Sequence, residues 1–118
     1  MNINFTITHE LSQEDISDLM VTALEGGINY WCSKVEIHQV PDGIDIEYAS
    51  DVIGFGGSLL IIEDEEERRI LSAPMFKRGV EKYCEVNQIY PDTLIDNHDA
   101  DTADHIIQYA LFNEIVYA

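Results

Sequence analysis

Ser58-Leu59-Leu60-Ile61-Ile62-Glu63-Asp64-Glu65-Glu66-Glu67-Arg68-Arg69-Ile70-Leu71-Ser72-Ala73-Pro74 is the stretch whose reading decides the fold. Ser58 to Ile62 is a short apolar run rich in β-formers, and Arg69 to Leu71 is a second extended segment. Between them Asp64-Glu65-Glu66-Glu67 is too polar and too short for anything but a turn, so the two strands pair antiparallel. Ser72 followed by Pro74 is a helix start, and Phe76, Gly79, Val80, Tyr83 and Cys84 then recur at helical spacing. Strand, turn, strand, helix in so few residues is the local grammar of an α+β domain.

The same grammar extends in both directions. Toward the N-terminus, Ile44 and Ile46 read as a strand, and Pro41-Asp42-Gly43 is a turn leading back to a further strand within 28–40, where Val35 and Ile37 alternate. Ser12 caps a helix with Glu14 and Asp15 in its first turn; Ile16, Leu19, Met20, Ala23 and Leu24 form its apolar face and Gly26-Gly27 stops it. Asn2 to Thr8 alternates Ile3, Phe5 and Ile7 with polar residues and predicts a first strand. Toward the C-terminus, residues 86–100 read as a polar loop, and Asp101 as the cap of a third helix with the stripe Ala103, Ile106, Ile107, Ala110 and Leu111. Three helices with one apolar face each need a surface to cover. The predicted fold is therefore a two-layer α+β domain, an antiparallel sheet of three to five strands covered by about three helices. A chain of 118 residues is sized for one such domain, spanning 1–118.

Charge is the strongest compositional signal. Twenty-three acidic residues against six basic ones leave a formal net charge of −17. Direct binding to nucleic-acid phosphates depends on Lys and Arg displacing counterions, so this composition excludes it and directs attention to cationic partners. No run approaches the ~20 apolar residues of a membrane helix, and no basic leader with an apolar core opens the sequence. Cys32 and Cys84 belong to no CxxC pair and fit buried thiols in a reducing, cytoplasmic setting.

The charges are unevenly placed. Residues 35–67 hold ten acids with no Lys or Arg, whereas Arg68, Arg69, Lys77, Arg78 and Lys82 fall within fifteen positions. Asp45, Glu47, Asp51, Glu63, Asp64, Glu65, Glu66 and Glu67 are the candidate partner-binding acids: a face of carboxylates can imitate a phosphate array and occupy the basic groove of a nucleic-acid enzyme. The plainer reading is a solvated surface that keeps the protein in solution, with Glu63 to Glu67 as a hairpin tip. The basic cluster is an alternative ligand site, suited to a nucleotide phosphate shared between the subunits of a homo-oligomer, or it is simply paired internally with the excess of acid.

Other constellations fit structure better than chemistry. His98, Asp99, Asp101, Asp104 and His105 are the densest possible metal ligands, but they do not have HExxH spacing and one of them is needed as a helix cap, so no metal or cofactor is expected. Gly54-Phe55-Gly56-Gly57 is not a phosphate loop and reads as a turn or bulge. Neither cysteine has an evident base and no GxSxG appears, so no catalytic residue is assigned and no enzyme is expected. Tyr30, Trp31, Tyr48, Phe55 and Tyr90 divide between core positions and interface anchors.

Ala23-Leu24-Glu25-Gly26-Gly27-Ile28-Asn29-Tyr30-Trp31, Asp101 to Phe112, and Gly56-Gly57-Ser58-Leu59 through Asp64 together resemble a widespread group of small, uncharacterised phage- and prophage-encoded proteins of gut bacteria. Some proteins similar to that group are placed with type II anti-CRISPR inhibitors. The resemblance implies a host-defence antagonist acting in the bacterial cytoplasm, and it brings no functional residues with it. The resulting expectation is an acidic phage protein that inhibits a host nucleic-acid-handling enzyme by stoichiometric contact with a basic host protein.

Overall fold

The structure, a computed structural model, describes residues 11–118. The strand expected over Asn2 to Thr8 lies outside the described residues. The elements in chain order are α1 (Gln13–Thr22), a π-helical turn (Ala23–Gly27), β1 (Cys32–Gln39), α2 (Ala49–Val52), β2 (Ser58–Glu63), β3 (Arg68–Ser72), α3 (Ala73–Asn87), α4 (Pro91–Asn97) and α5 (Ala100–Phe112). The fold is α+β: one antiparallel sheet in the order β1-β2-β3, a meander, with the helices packed on it.

The deciding stretch folds as read. Leu59 faces Leu71 across the β2–β3 ladder and Ile61 faces Arg69. Period-2 alternation turns Leu59, Ile61 and Leu71 toward the helices, where all three are buried in one cluster with Trp31, Phe76, Val80, Ile106 and Ile107. Ser72 accepts the amide of Met75 and so caps α3, with Pro74 in the first turn. Ser12 and Asp15 form a reciprocal capping box on α1. Helices α3 and α5 pack closely because position 79 has no side chain. A Cβ there would sit 2.5 Å from the Ile106 carbonyl oxygen and 2.9 Å from the Ala110 methyl.

Three sequence readings are corrected. Ile44 and Ile46 form no strand: the Pro41-Asp42-Gly43 turn leaves the sheet, Ile44 is exposed, and the chain enters the short helix α2. The polar segment 86–100 is not all loop. Pro91 starts α4, whose Leu94 is 2% exposed and anchors it to the core. Asp99, not Asp101, caps α5, accepting the Thr102 amide at 2.9 Å. Thus the described residues form five helices, where about three were expected.

Candidate functional site

β2 organises the acidic residues. It starts at Ser58, paired with Gln39, and ends at Glu63, paired with Cys32. Asp45, Glu47 and Asp51 belong to the connection at its first end, and Asp64 to Glu67 form the turn at its other end, about 17 Å away along the strand. Asp45, Glu47 and the four turn residues are exposed, and Asp51 is half-buried. Glu66 holds the turn with a left-handed backbone (φ 68). Seven of the eight candidate acids therefore fall into two groups at the two ends of β2, and Glu63 belongs to neither.

Glu63 is 5% exposed and committed inside the molecule. Its Oε2 accepts from Arg69 Nε at 2.5 Å, and its Oε1 accepts the hydroxyl of Tyr117. Burial alone pushes the Glu63 carboxyl up, but the hydrogen bonds from Tyr117 and Arg69 together with the Arg69 charge outweigh it and hold it below the usual carboxyl range. Conversely, the bond to Glu63 is the main reason that the Tyr117 hydroxyl is pushed up to about 12.

The basic cluster is likewise divided. Alternation along β3 sends Arg68 and Arg69 to opposite faces. Arg69 bonds Glu63, reaches Glu67 at 2.9 Å, and lies 4.7 Å from the centre of the Phe112 ring. Arg68, Lys77 and Arg78 are exposed and Lys82 is half-buried; none of the four forms an ion pair with another described residue. Internal pairing thus accounts for Arg69 alone.

Around Glu63 the structure assembles a cluster that the sequence reading did not join. Asp104, 3% exposed, accepts from Trp31 Nε1 at 2.8 Å, from the Tyr30 hydroxyl at 2.6 Å and from Gln108 Nε2 at 2.9 Å. Burial of its hydroxyl and the bond to Asp104 push Tyr30 up to about 12. Gln108 is fully buried and turns its amide to the segment after α5. Its Oε1 accepts the amides of Val116 and Tyr117, both at 2.8 Å, and its Nε2 donates to the Tyr117 carbonyl at 3.1 Å. The Tyr117 ring stacks on Trp31 with centroids 5.0 Å apart and a 3° interplanar angle, while Phe112 meets it edge-on at 6.0 Å. The resemblance-bearing segments 23–31 and 101–112 are hence joined through Trp31, Tyr30 and Asp104. A signal for this existed: Asp104 and Gln108 are a polar i, i+4 pair beside the apolar stripe of α5, which demands buried donors and acceptors.

The remaining candidates diverge. His98 Nδ1 lies 3.1 Å from the Ile95 carbonyl oxygen and Nε2 3.1 Å from Thr22 Oγ1, Asp99 caps α5, and Asp104 points to Trp31. Among the described residues no three His, Cys, Asp or Glu side chains converge as metal ligands, and no helix is long and apolar enough to cross a membrane. Burial raises both thiols, Cys84 to about 11, the opposite of an activated nucleophile. An open cleft of about 730 Å³ lies at the Ser58 end of the sheet, walled by His38, Asp42, Gly57, Ser58 and Ile70. His38 Nδ1 is 2.9 Å from Ser58 Oγ, and none of the basic-cluster residues lines that cleft. Tyr30, Tyr48, Phe55 and Tyr90 are at least 43% exposed, whereas Trp31 is core.

No family model, no curated protein and no solved structure matches the chain.

Proposed function

We propose that this chain is an acidic binding domain without turnover, which engages a cationic protein surface through its exposed carboxylates. One observation carries the reading: in a chain of net charge −17, none of Asp45, Glu47, Asp51, Asp64, Glu65 and Glu66 is ion-paired with a described cation. Like charges left unpaired in such number repel one another and cost stability, which a positive partner would relieve. The turn Asp64 to Glu67 is the leading contact, and Asp45, Glu47 and Asp51 form a second one about a strand's length away. On the resemblance drawn from residues 23–31 and 101–112, the partner is a host nucleic-acid-handling defence enzyme whose groove ordinarily holds phosphates.

The test is cleavage of a target duplex by an RNA-guided type II effector in the presence of increasing amounts of the chain. Stoichiometric inhibition at low salt is expected, weakening as salt rises and weakening further when Asp64, Glu65, Glu66 and Glu67 are changed to Asn and Gln. Full cleavage with the chain in large excess at low salt sinks the proposal.

A second reading is supported by the lack of ion pairs at Arg68, Lys77, Arg78 and Lys82: an anion such as a nucleotide phosphate bound in an oligomer. A nucleotide-dependent rise in melting temperature that disappears in Lys77→Ala/Arg78→Ala distinguishes it from the first.

A further inference from the structure

Beyond α5 the chain closes over the core as a strap without secondary structure. The helix ends at Asn113, in the left-handed region at φ 61. Only Glu114 and Ile115 then separate that residue from Val116, the first to be gripped by Gln108. Among the described residues no main-chain to main-chain hydrogen bond holds 114–118. The strap is fastened by side chains: the Gln108 amide on the backbone of 116 and 117, the Trp31 and Phe112 rings on the Tyr117 ring, and Glu63 on the Tyr117 hydroxyl.

We infer that this slot takes the strap of a second copy of the chain, so that two copies exchange residues 114–118 in a reciprocal dimer. Every fastening is a contact between the body of the molecule and residues 116–117. Each of those contacts re-forms unchanged when the strap comes from a neighbour, which is what makes exchange an accessible route to association. The hinge supplies the bias. A short connection that must reverse direction invites exchange, and here the reversal turns on Asn113 in the left-handed region, which asparagine enters more readily than other non-glycine residues but at a greater cost than glycine. Letting α5 run on through Asn113 removes that cost, carries the strap away from its own slot and presents it to another. The net charge of −17 opposes the approach of two copies, so salt favours this dimer. Salt weakens the charge-complementary contact proposed above, and the two interactions therefore separate in one titration.

Sedimentation velocity on the full chain, over a range of concentration at low and high salt after a cycle of warming and cooling, reads the dimer. A dimer that grows with salt is expected. Asn113→Gly, which makes the left-handed hinge comfortable, lowers the association constant about two- to fivefold, and Asn113→Val raises it by a similar factor. Both variants leave the slot intact. A synthetic peptide of sequence Asn-Glu-Ile-Val-Tyr-Ala, matching residues 113–118, suppresses the dimer of the unaltered chain, and the same peptide with Ala for Tyr does not. A chain that stays monomeric at every concentration and salt overturns the inference. So does a dimer indifferent to the hinge variants and to the peptide, since it must use another face.

Discussion

Two regions of this molecule treat the same functional group in opposite ways. Around Trp31 the chain withdraws the carboxyl groups of Asp104 and Glu63 from water and meets each with donors: an indole, a phenol and an amide for one, a guanidinium and a phenol for the other. At Asp45, Glu47 and Asp64 to Glu66 it leaves carboxyl groups near solvent with no ion pair to a described cation. The difference teaches that acid count says nothing about role until surroundings are known. A buried carboxyl costs too much to keep without donors, so its donors define a structural unit; an exposed one costs little and remains available to a partner.

The sharpest way to break this comparison is Asp104→Ala. It strands the buried Trp31 N–H and takes one partner each from the Tyr30 hydroxyl and the Gln108 amide, and a loss of about 2–3 kcal/mol in urea unfolding is expected. A loss near zero would mean that the buried cluster is no more demanding than the surface. Tyr117→Phe is gentler. It keeps the stack on Trp31 and removes one donor from Glu63, for about 1 kcal/mol.

Glu63 also sets a pH dependence. Its folded carboxyl is held below the ordinary 4.5, so its contribution is complete above that value and is lost as pH falls through the lower folded value. Tyr117 works in the other direction: raised from 10.0 to about 12, it contributes fully below pH 10 and loses that contribution as pH rises toward 12. Glu63→Gln flattens the acid limb of a stability-against-pH curve; an unchanged limb would remove Glu63 from the account. The smallest effect belongs to the surface. Neutralising Asp64, Glu65 and Glu66, and leaving Glu67 on Arg69, keeps the urea midpoint unchanged or slightly higher, because it removes repulsion and no ion pair to a described cation. A clear drop would show that the turn acids are structural after all.

Much of the fold was legible in the sequence because local rules and tertiary packing agree there. Ser12 and Ser72 are caps in pattern and in fact, and Phe76, Val80, Ile106 and Ile107 are stripe residues that meet the sheet. Legibility failed where a single distant contact decides. Leu94 makes a helix of a segment whose other residues are mostly polar, and Ile44 and Ile46 alternate like a strand but lie in the connection that leaves the sheet for α2. Asp99 and Asp101 are equally good caps by composition, and only the backbone geometry chooses Asp99. The buried cluster was hidden for a related reason: Trp31, Glu63, Asp104 and Tyr117 are far apart in the chain, and each has a plausible local role that masks the shared one. Glu63, in particular, borders a run of acids and looks like one of them; its position as the last inward-facing residue of β2 sets it apart.

Trp31 is the sole tryptophan, and it stands face to face with Tyr117 while its N–H rests on Asp104. Its emission is consequently a built-in optical gauge of one place in the molecule, sensitive to polarity and to the neighbouring phenol ring. Any event that lifts the closing segment in the purified protein can be followed by light without attaching a dye.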